Sequence, residues 1–210
     1  YKVIVLGEQG VGKTCFLDKF LHNAHFTAYD PTHRESSRKH LRVDDTDYIL
    51  DLLDVNATLF HESSQSRQGI SWSALRQWLQ EAHGIVFLYD ITSRESYDRI
   101  VNKGFETACK YRNSMAGDGT PYPACGQRFG SVLVGNKVDL VKGKEMREVL
   151  REEAEGWGDV MNVRFFELDT FDNEKVHEVM RALVRAMVKA EKRDEEDIEQ
   201  AKERAAGRKK

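Results

Sequence analysis

Gly7-Glu8-Gln9-Gly10-Val11-Gly12-Lys13-Thr14 stands between a short apolar run, Lys2-Val-Ile-Val-Leu6, and a helix-period stretch from Thr14 to His22. The octet satisfies G-x-x-x-x-G-K-[ST], a pattern that works only when a strand feeds it and a helix leaves it. Both conditions are met, since the β-branched run suits a buried strand and Cys15, Phe16, Phe20 and Leu21 recur at helical spacing. Glycines at Gly7, Gly10 and Gly12 let successive backbone N–H groups, those of Gln9 and Val11 among them, curl around an anion. The helix start, with Cys15 in its first turn, adds partial positive charge. Lys13 is placed to reach the β and γ phosphates of a nucleotide, and the Thr14 hydroxyl to ligate Mg²⁺. The competing reading is a glycine-rich turn with an incidental lysine, which has to match every fixed position in the right context by chance.

Outward from this octet, apolar runs alternate with helical stretches. Leu41–Val43 and Tyr48–Leu53 read as two strands joined by the acidic turn Asp44-Asp45-Thr46-Asp47. Trp72–Ala82 and Tyr97–Tyr111 are helical in pattern, while Gly84–Tyr89, Ser131–Gly135 and Val163–Glu167 are strand-like. Val176, Val179, Met180, Leu183, Val184 and Met187 mark a last amphipathic helix. Strands separated by helices imply an α/β fold, a mostly parallel central sheet with one antiparallel edge hairpin and helices on both faces. Three stretches break the rhythm: the polar segment 60–71, the glycine- and proline-bearing segment 113–130, and the end of the chain. From Lys189 onward there are eight bases and seven acids in twenty-two residues, read as a charged helical extension or a tail. Residues 1–188 are expected to form one domain, with 189–210 appended to it.

Composition narrows the class further. The chain has 210 residues, 40% hydrophobic and 32% charged, with only three prolines, which excludes collagen-like and low-complexity chains. Acids outnumber bases 35 to 32, so no bulk positive charge is available for nucleic acid. The longest strongly apolar stretch, Ile85–Tyr89, is far short of the ~20 residues a spanning helix needs. Cys15, Cys109 and Cys125 are widely spaced without a C-x-x-C, and read as reduced thiols of a cytoplasmic protein. The chain opens at Tyr1 in a strand-like run, which reads as a trimmed fragment.

The phosphate loop does not name the base. Asn136-Lys137-Val138-Asp139, followed by Leu140, comes straight after a buried strand, at the strand end where open parallel sheets bind ligands. A carboxylate at Asp139 accepts from both N1–H and the N2 amino group of guanine. Adenine has no donors there, and leaves the carboxylate desolvated and unpaired at a cost of ~1–3 kcal/mol. The combination points to a guanine nucleotide and against a phosphate-loop ATP kinase.

With these motifs in place, the chain resembles a Ras-superfamily small GTPase from Tyr1 to about Lys189, with Tyr29-Asp-Pro31-Thr32 similar to the first switch of the Ras branch. The resemblance implies a phosphate-loop NTPase fold and a GTP/GDP switch using Mg²⁺. It implies that Thr32 ligates Mg²⁺ and senses the γ-phosphate, that Asp54 holds the ion through water, and that Lys13, Thr32 and Thr58 are the catalytic positions. Tyr29 and Pro31 would line the nucleotide, and Phe26 or His25 would flank the guanine ring. Asp169-Thr170-Phe171 stands where the family has S-A-K, with the Thr170 backbone N–H facing guanine O6. Effectors, exchange factors and GTPase-activating proteins would bind through residues 29–43 and 54–76.

The departures from the family pattern concern hydrolysis. The second switch reads Asp54-Val-Asn-Ala57-Thr58 where the family has D-T-A-G-Q. Ala57 restricts a backbone that glycine leaves free, and Thr58 replaces the glutamine that orients the attacking water. Threonine at this position is shared with the Rap branch. Gln65 or Gln68 in the enlarged loop could swing toward the phosphates, against the entropic cost of ordering it. Gln9 can crowd the approach of an arginine finger, and Arg34 either reverses a charge that basic effector modules use or is a solvated loop charge. Two functions from different classes follow: a slow GTPase switch, or a pseudo-GTPase locked on nucleotide as an interaction module. Arg208-Lys209-Lys210 reads either as a lysine-rich helix end or as the start of a polybasic membrane signal, with attachment running through a carboxyl terminus beyond Lys210.

Overall fold

A computed structural model describes residues 1–23, 37–56, 72–113, 128–143 and 146–207. The elements run β1 (Lys2–Gly7), α1 (Lys13–His22), β2 (Ser37–Val43), β3 (Thr46–Asn56), α2 (Trp72–Glu81), β4 (Gly84–Asp90) and α3 (Arg94–Asp98). They continue through a π-helical segment (Arg99–Gly104), α4 (Phe105–Asn113), β5 (Gly130–Asn136), α5 (Val138–Gly143), α6 (Arg151–Met161), β6 (Arg164–Glu167) and α7 (Asn173–Gly207). The six strands form one sheet in the order β2-β3-β1-β4-β5-β6. Among the described residues only the β2–β3 pair is antiparallel; β1 lies parallel to β3 and β4, β4 to β5, and β5 to β6. The α/β architecture with a mostly parallel sheet and one antiparallel edge hairpin is therefore as the sequence implies.

Strand alternation divides the core into two layers. Val3, Val5, Val86, Leu88, Val132 and Val134 face α1 and α7, where Phe16, Phe20, Val176, Met180 and Leu183 pack on them. Ile4, Leu6, Ile85, Phe87, Tyr89 and Leu133 face the other side, against Leu75 and Leu79 of α2, Ile100 of the π segment and Ala154 of α6. Because both faces are covered, β4 and β5 are buried at every residue, which is why they read as continuous apolar runs.

The hairpin turn is tighter than the sequence suggests. Val43 pairs with Thr46, so Asp44 and Asp45 alone make the turn, at φ 49° and 63°. Aspartate tolerates the left-handed region, and two such residues give the turn whose twist matches a hairpin. Arg185 of α7 clamps the turn through Nε and NH2 at 2.9 and 2.8 Å from the Asp44 carboxylate.

The long middle helix begins earlier than its apolar pattern, at Arg94, with the Ser93 side chain capping it by accepting from the Ser96 N–H. α6 is absent from the sequence reading; it carries Gly156 and Gly158, which obscure its pattern. A Cβ at Gly158 would stand 2.6 Å from the Val163 carbonyl oxygen, so close approach of the helix to the next strand requires glycine there. α7 continues as helix through the charged segment to Gly207.

Candidate functional site

In a doubly wound sheet the loops after parallel strands gather at one edge, and ligands bind beside the strand where chain direction across the sheet reverses. β1 is that strand here, with β3 on one side and β4 on the other. The octet leaves its carboxyl end. Gly7 closes β1, Gln9 and Gly10 are exposed at the bend, and Val11 is buried. Gly10 and Gly12 have positive φ, 81° and 101°. α1 begins at Lys13 with Gly12 as its cap, a residue with no side chain to bond the first N–H groups. A bare helix start following a positively curved loop presents backbone donors to an anion.

Lys13 is buried, and its Nζ donates to the Glu8 carbonyl at 2.8 Å. Desolvation pushes this ammonium below its ordinary pKa, while the Asp54 and Glu8 carboxylates pull it back up. An ammonium held this way is poorly solvated and gains from any phosphate oxygen that reaches it. The Thr14 hydroxyl, at the exposed side of the same turn, donates to Asp54 Oδ2 at 2.7 Å. Thus the two described residues expected at a magnesium ion, one from α1 and one from the end of β3, already have their oxygens side by side. A hydroxyl beside a carboxylate is a hard-oxygen pair of the kind Mg²⁺ takes together with phosphate and water. The residues present fit that ion.

Asn136 closes β5 and is buried. Its Nδ2 donates to the Val11 carbonyl at 2.8 Å, which ties the base motif to the phosphate loop. Lys137 follows at φ 68°, and its Nζ sits 2.6 Å from Asp90 Oδ2. Asp90 is itself fixed, since its Oδ1 accepts from the Thr92 N–H at 2.8 Å and the Thr92 hydroxyl at 2.7 Å. Asp139 is exposed in the first turn of α5, and Leu140 is half-buried beside it. The Val138 N–H donates to the Leu168 carbonyl at 3.4 Å, which brings the loop after β6 alongside. There the Asp169 carboxylate accepts from the Phe171 N–H at 2.8 Å, Thr170 is buried, and the Phe171 ring is 64% exposed. Gly7, Gln9, Gly10, Val11, Gly12, Lys13, Thr14, Cys15 and Asp54 thus share one edge of the sheet with Asn136, Lys137, Asp139, Leu140, Asp169, Thr170 and Phe171. His25, Phe26, Tyr29, Pro31, Thr32, Arg34, Ala57, Thr58, Gln65 and Gln68 lie outside the described residues.

Against this geometry, the family model described as "Ras family" matches residues 2–189. The chain belongs to the Ras family. Members of this family are small GTP-binding switches, and the P-loop, the mixed sheet and the guanine-type motif of this Ras-family chain accord with that. It is similar to Ras-like protein rasX of Dictyostelium discoideum, 28% identical over 183 residues, covering 87% of the chain and 74% of that protein. Ras-like protein 2 of Mucor circinelloides f. lusitanicus is 28% identical over 185 residues, covering 88% and 80%. Ras-like protein rasB of Dictyostelium discoideum is 34% identical over 159 residues, covering 75% and 65%.

Three residues that shape this Ras-family site escape the motif search: Glu8, Asp90 and Arg99. Asp90 had a findable signal, a carboxylate at the carboxyl end of a buried strand. Glu8 and Arg99 had none, because their pairing joins positions ninety-one residues apart in the chain.

Proposed function

We propose that this chain is a guanine-nucleotide switch that binds GTP and GDP with Mg²⁺ and hydrolyses GTP slowly. The observation that supports it most is the Asn136–Val11 hydrogen bond, which joins the element suited to guanine with the element suited to phosphate. Backbone donors of Gly10 to Thr14 and the Lys13 ammonium would take the phosphates; Asp139 and the Thr170 backbone would take the base edge. Thr14 and Asp54, with Thr32, would hold the magnesium ion. When bound, that ion would supply positive charge to offset the nucleotide's phosphates.

Hydrolysis is slow in this reading because Thr58 stands in place of the water-orienting glutamine, and positioning supplies most of the acceleration in this chemistry. Effectors, exchange factors and GTPase-activating proteins would meet residues 29–43 and 54–76. Among the described residues β2 ends one side of the sheet, an edge onto which a partner strand can add. Among the described residues no helix is long and apolar enough to cross a membrane. The proposed location is the cytoplasm or the cytoplasmic face of a membrane.

The second reading, a nucleotide-locked pseudo-GTPase, draws on Ala57 and Thr58 together. Single-turnover hydrolysis of bound GTP separates the two. A measurable rate that rises when Ala57→Gly and Thr58→Gln are combined supports the switch. A rate indistinguishable from solution hydrolysis in both proteins supports the locked module. Preferential binding of ATP rejects both.

A further inference from the structure

The second residue of the phosphate loop is an acid. Glu8 places a carboxylate in a segment whose work is to hold a polyanion, and that side chain is only 10% exposed. Its Oε2 meets Arg99 NH1 at 3.2 Å. Its Oε1 is buried with no hydrogen-bond partner among the described residues. Arg99 is held from its other side by Glu95, one helical turn earlier, and it opens the π-helical segment. A pocket of about 250 Å³ lies here, with Glu8, Gly10, Asp90, Arg99 and Lys137 on its walls. The backbone carbonyl of the same Glu8 holds Lys13, so a shift of Glu8 moves the ammonium that faces the phosphates.

We propose that Arg99 is a positioning residue for nucleotide binding: it neutralises the Glu8 carboxylate and pins the phosphate loop in its anion-accepting shape. The proposal rests on the guanine-nucleotide reading above. Paired with Arg99, the Glu8 carboxylate has a guanidinium offsetting its charge beside the incoming phosphates. Unpaired and poorly solvated, it repels each phosphate charge and draws the loop toward water, taking the Lys13 contact with it. Arg99 belongs to the helix after β4, so the phosphate loop is set by an element remote in sequence. The widened π turn is the local feature that opens at Arg99.

The test is a titration of the wild-type chain, Arg99→Met, Arg99→Lys and the double variant Glu8→Gln/Arg99→Met with fluorescent GDP and GTP analogues. Arg99→Met is expected to lose roughly tenfold or more in affinity, with the loss larger for GTP than for GDP because the opposed charge is larger. The double variant is expected to regain most of that loss, and Arg99→Lys to retain most of the affinity. A purely packing role for Arg99 moves both nucleotides equally and gives no rescue by Glu8→Gln. Arg99→Met within twofold of wild type, or a double variant no tighter than Arg99→Met, overturns the proposal. Should Arg99→Met fail to fold, the double variant decides: folded and binding supports the proposal, unfolded overturns it. A wild-type chain that binds neither nucleotide overturns the guanine-nucleotide reading, and this proposal with it.

Discussion

Asn136, at the end of β5, donates its amide to the carbonyl of Val11 at 2.8 Å, across 125 residues of sequence. Both residues are buried, so the bond is made away from water and cannot be replaced by it. The two motifs are therefore one mechanical unit, and a change at either is felt at the other.

Asn136→Ala should show this directly. It removes the donor and leaves the Val11 carbonyl buried and unpaired, at a cost of about 1–3 kcal/mol. The expected result is a drop in nucleotide affinity of roughly tenfold to a hundredfold together with a lowered melting temperature. Isothermal titration and thermal denaturation of the same preparation measure both.

Gly12→Ala attacks the same joint from the loop side. Gly12 sits at φ 101°, and a Cβ there would stand 2.3 Å from Asn136 Nδ2. The left-handed backbone costs an alanine about 1 kcal/mol or more, and the clash displaces the Asn136 amide as well. Nucleotide binding should fall at least as far as in Asn136→Ala, which fluorescence titration of the two variants side by side will tell.

Thr14 and Asp54 make a prediction about magnesium. Their oxygens are 2.7 Å apart, and Thr14→Ala or Asp54→Asn removes one half of the pair. Each variant should bind nucleotide nearly as weakly with Mg²⁺ as wild type does after chelation. The ratio of nucleotide dissociation rates with and without a chelator should shrink by roughly tenfold. An unchanged ratio would count against both residues.

The strands were legible because burial on both faces demands unbroken apolar runs such as Ile85–Tyr89. The octet was legible because its glycines, lysine and threonine each answer a separate chemical demand. α6 was not, since Gly156 and Gly158 lower helix propensity and only Ala154 and Gly158 are fully buried. The π segment was invisible because one wider turn barely alters helical spacing. The Asn136–Val11 and Glu8–Arg99 pairs are products of the sheet order, which side-chain periodicity does not encode.

His177 supplies a pH prediction. It lies against Phe20, with ring centroids 5.1 Å apart, and its Nε2 is 3.4 Å from Asn23 Oδ1. Burial, then the charges of Lys39 and Arg181, hold its pKa below the ordinary histidine value. The unfolded chain thus binds the proton first as pH falls. Stability should decline as pH drops from the unfolded histidine value toward the lower folded one, and be unaffected by this residue above that window. Denaturant melts across pH 5 to 7.5 should show a gentler acid slope in His177→Gln, about the range where an ordinary histidine titrates.

α7 carries one more consequence. Its thirty-five residues span about 52 Å at ~1.5 Å per residue, whereas a domain of this size is only about 40 Å across. Ala190 is the last of its described residues to be buried, and Tyr1 and Arg128 brace it at Glu191 and Asp194. Past those braces the helix runs on to Gly207, so its last turn is held at a set standoff from the nucleotide site. A flexible tether of the same length would let the two drift together; this one fixes a distance and a bearing.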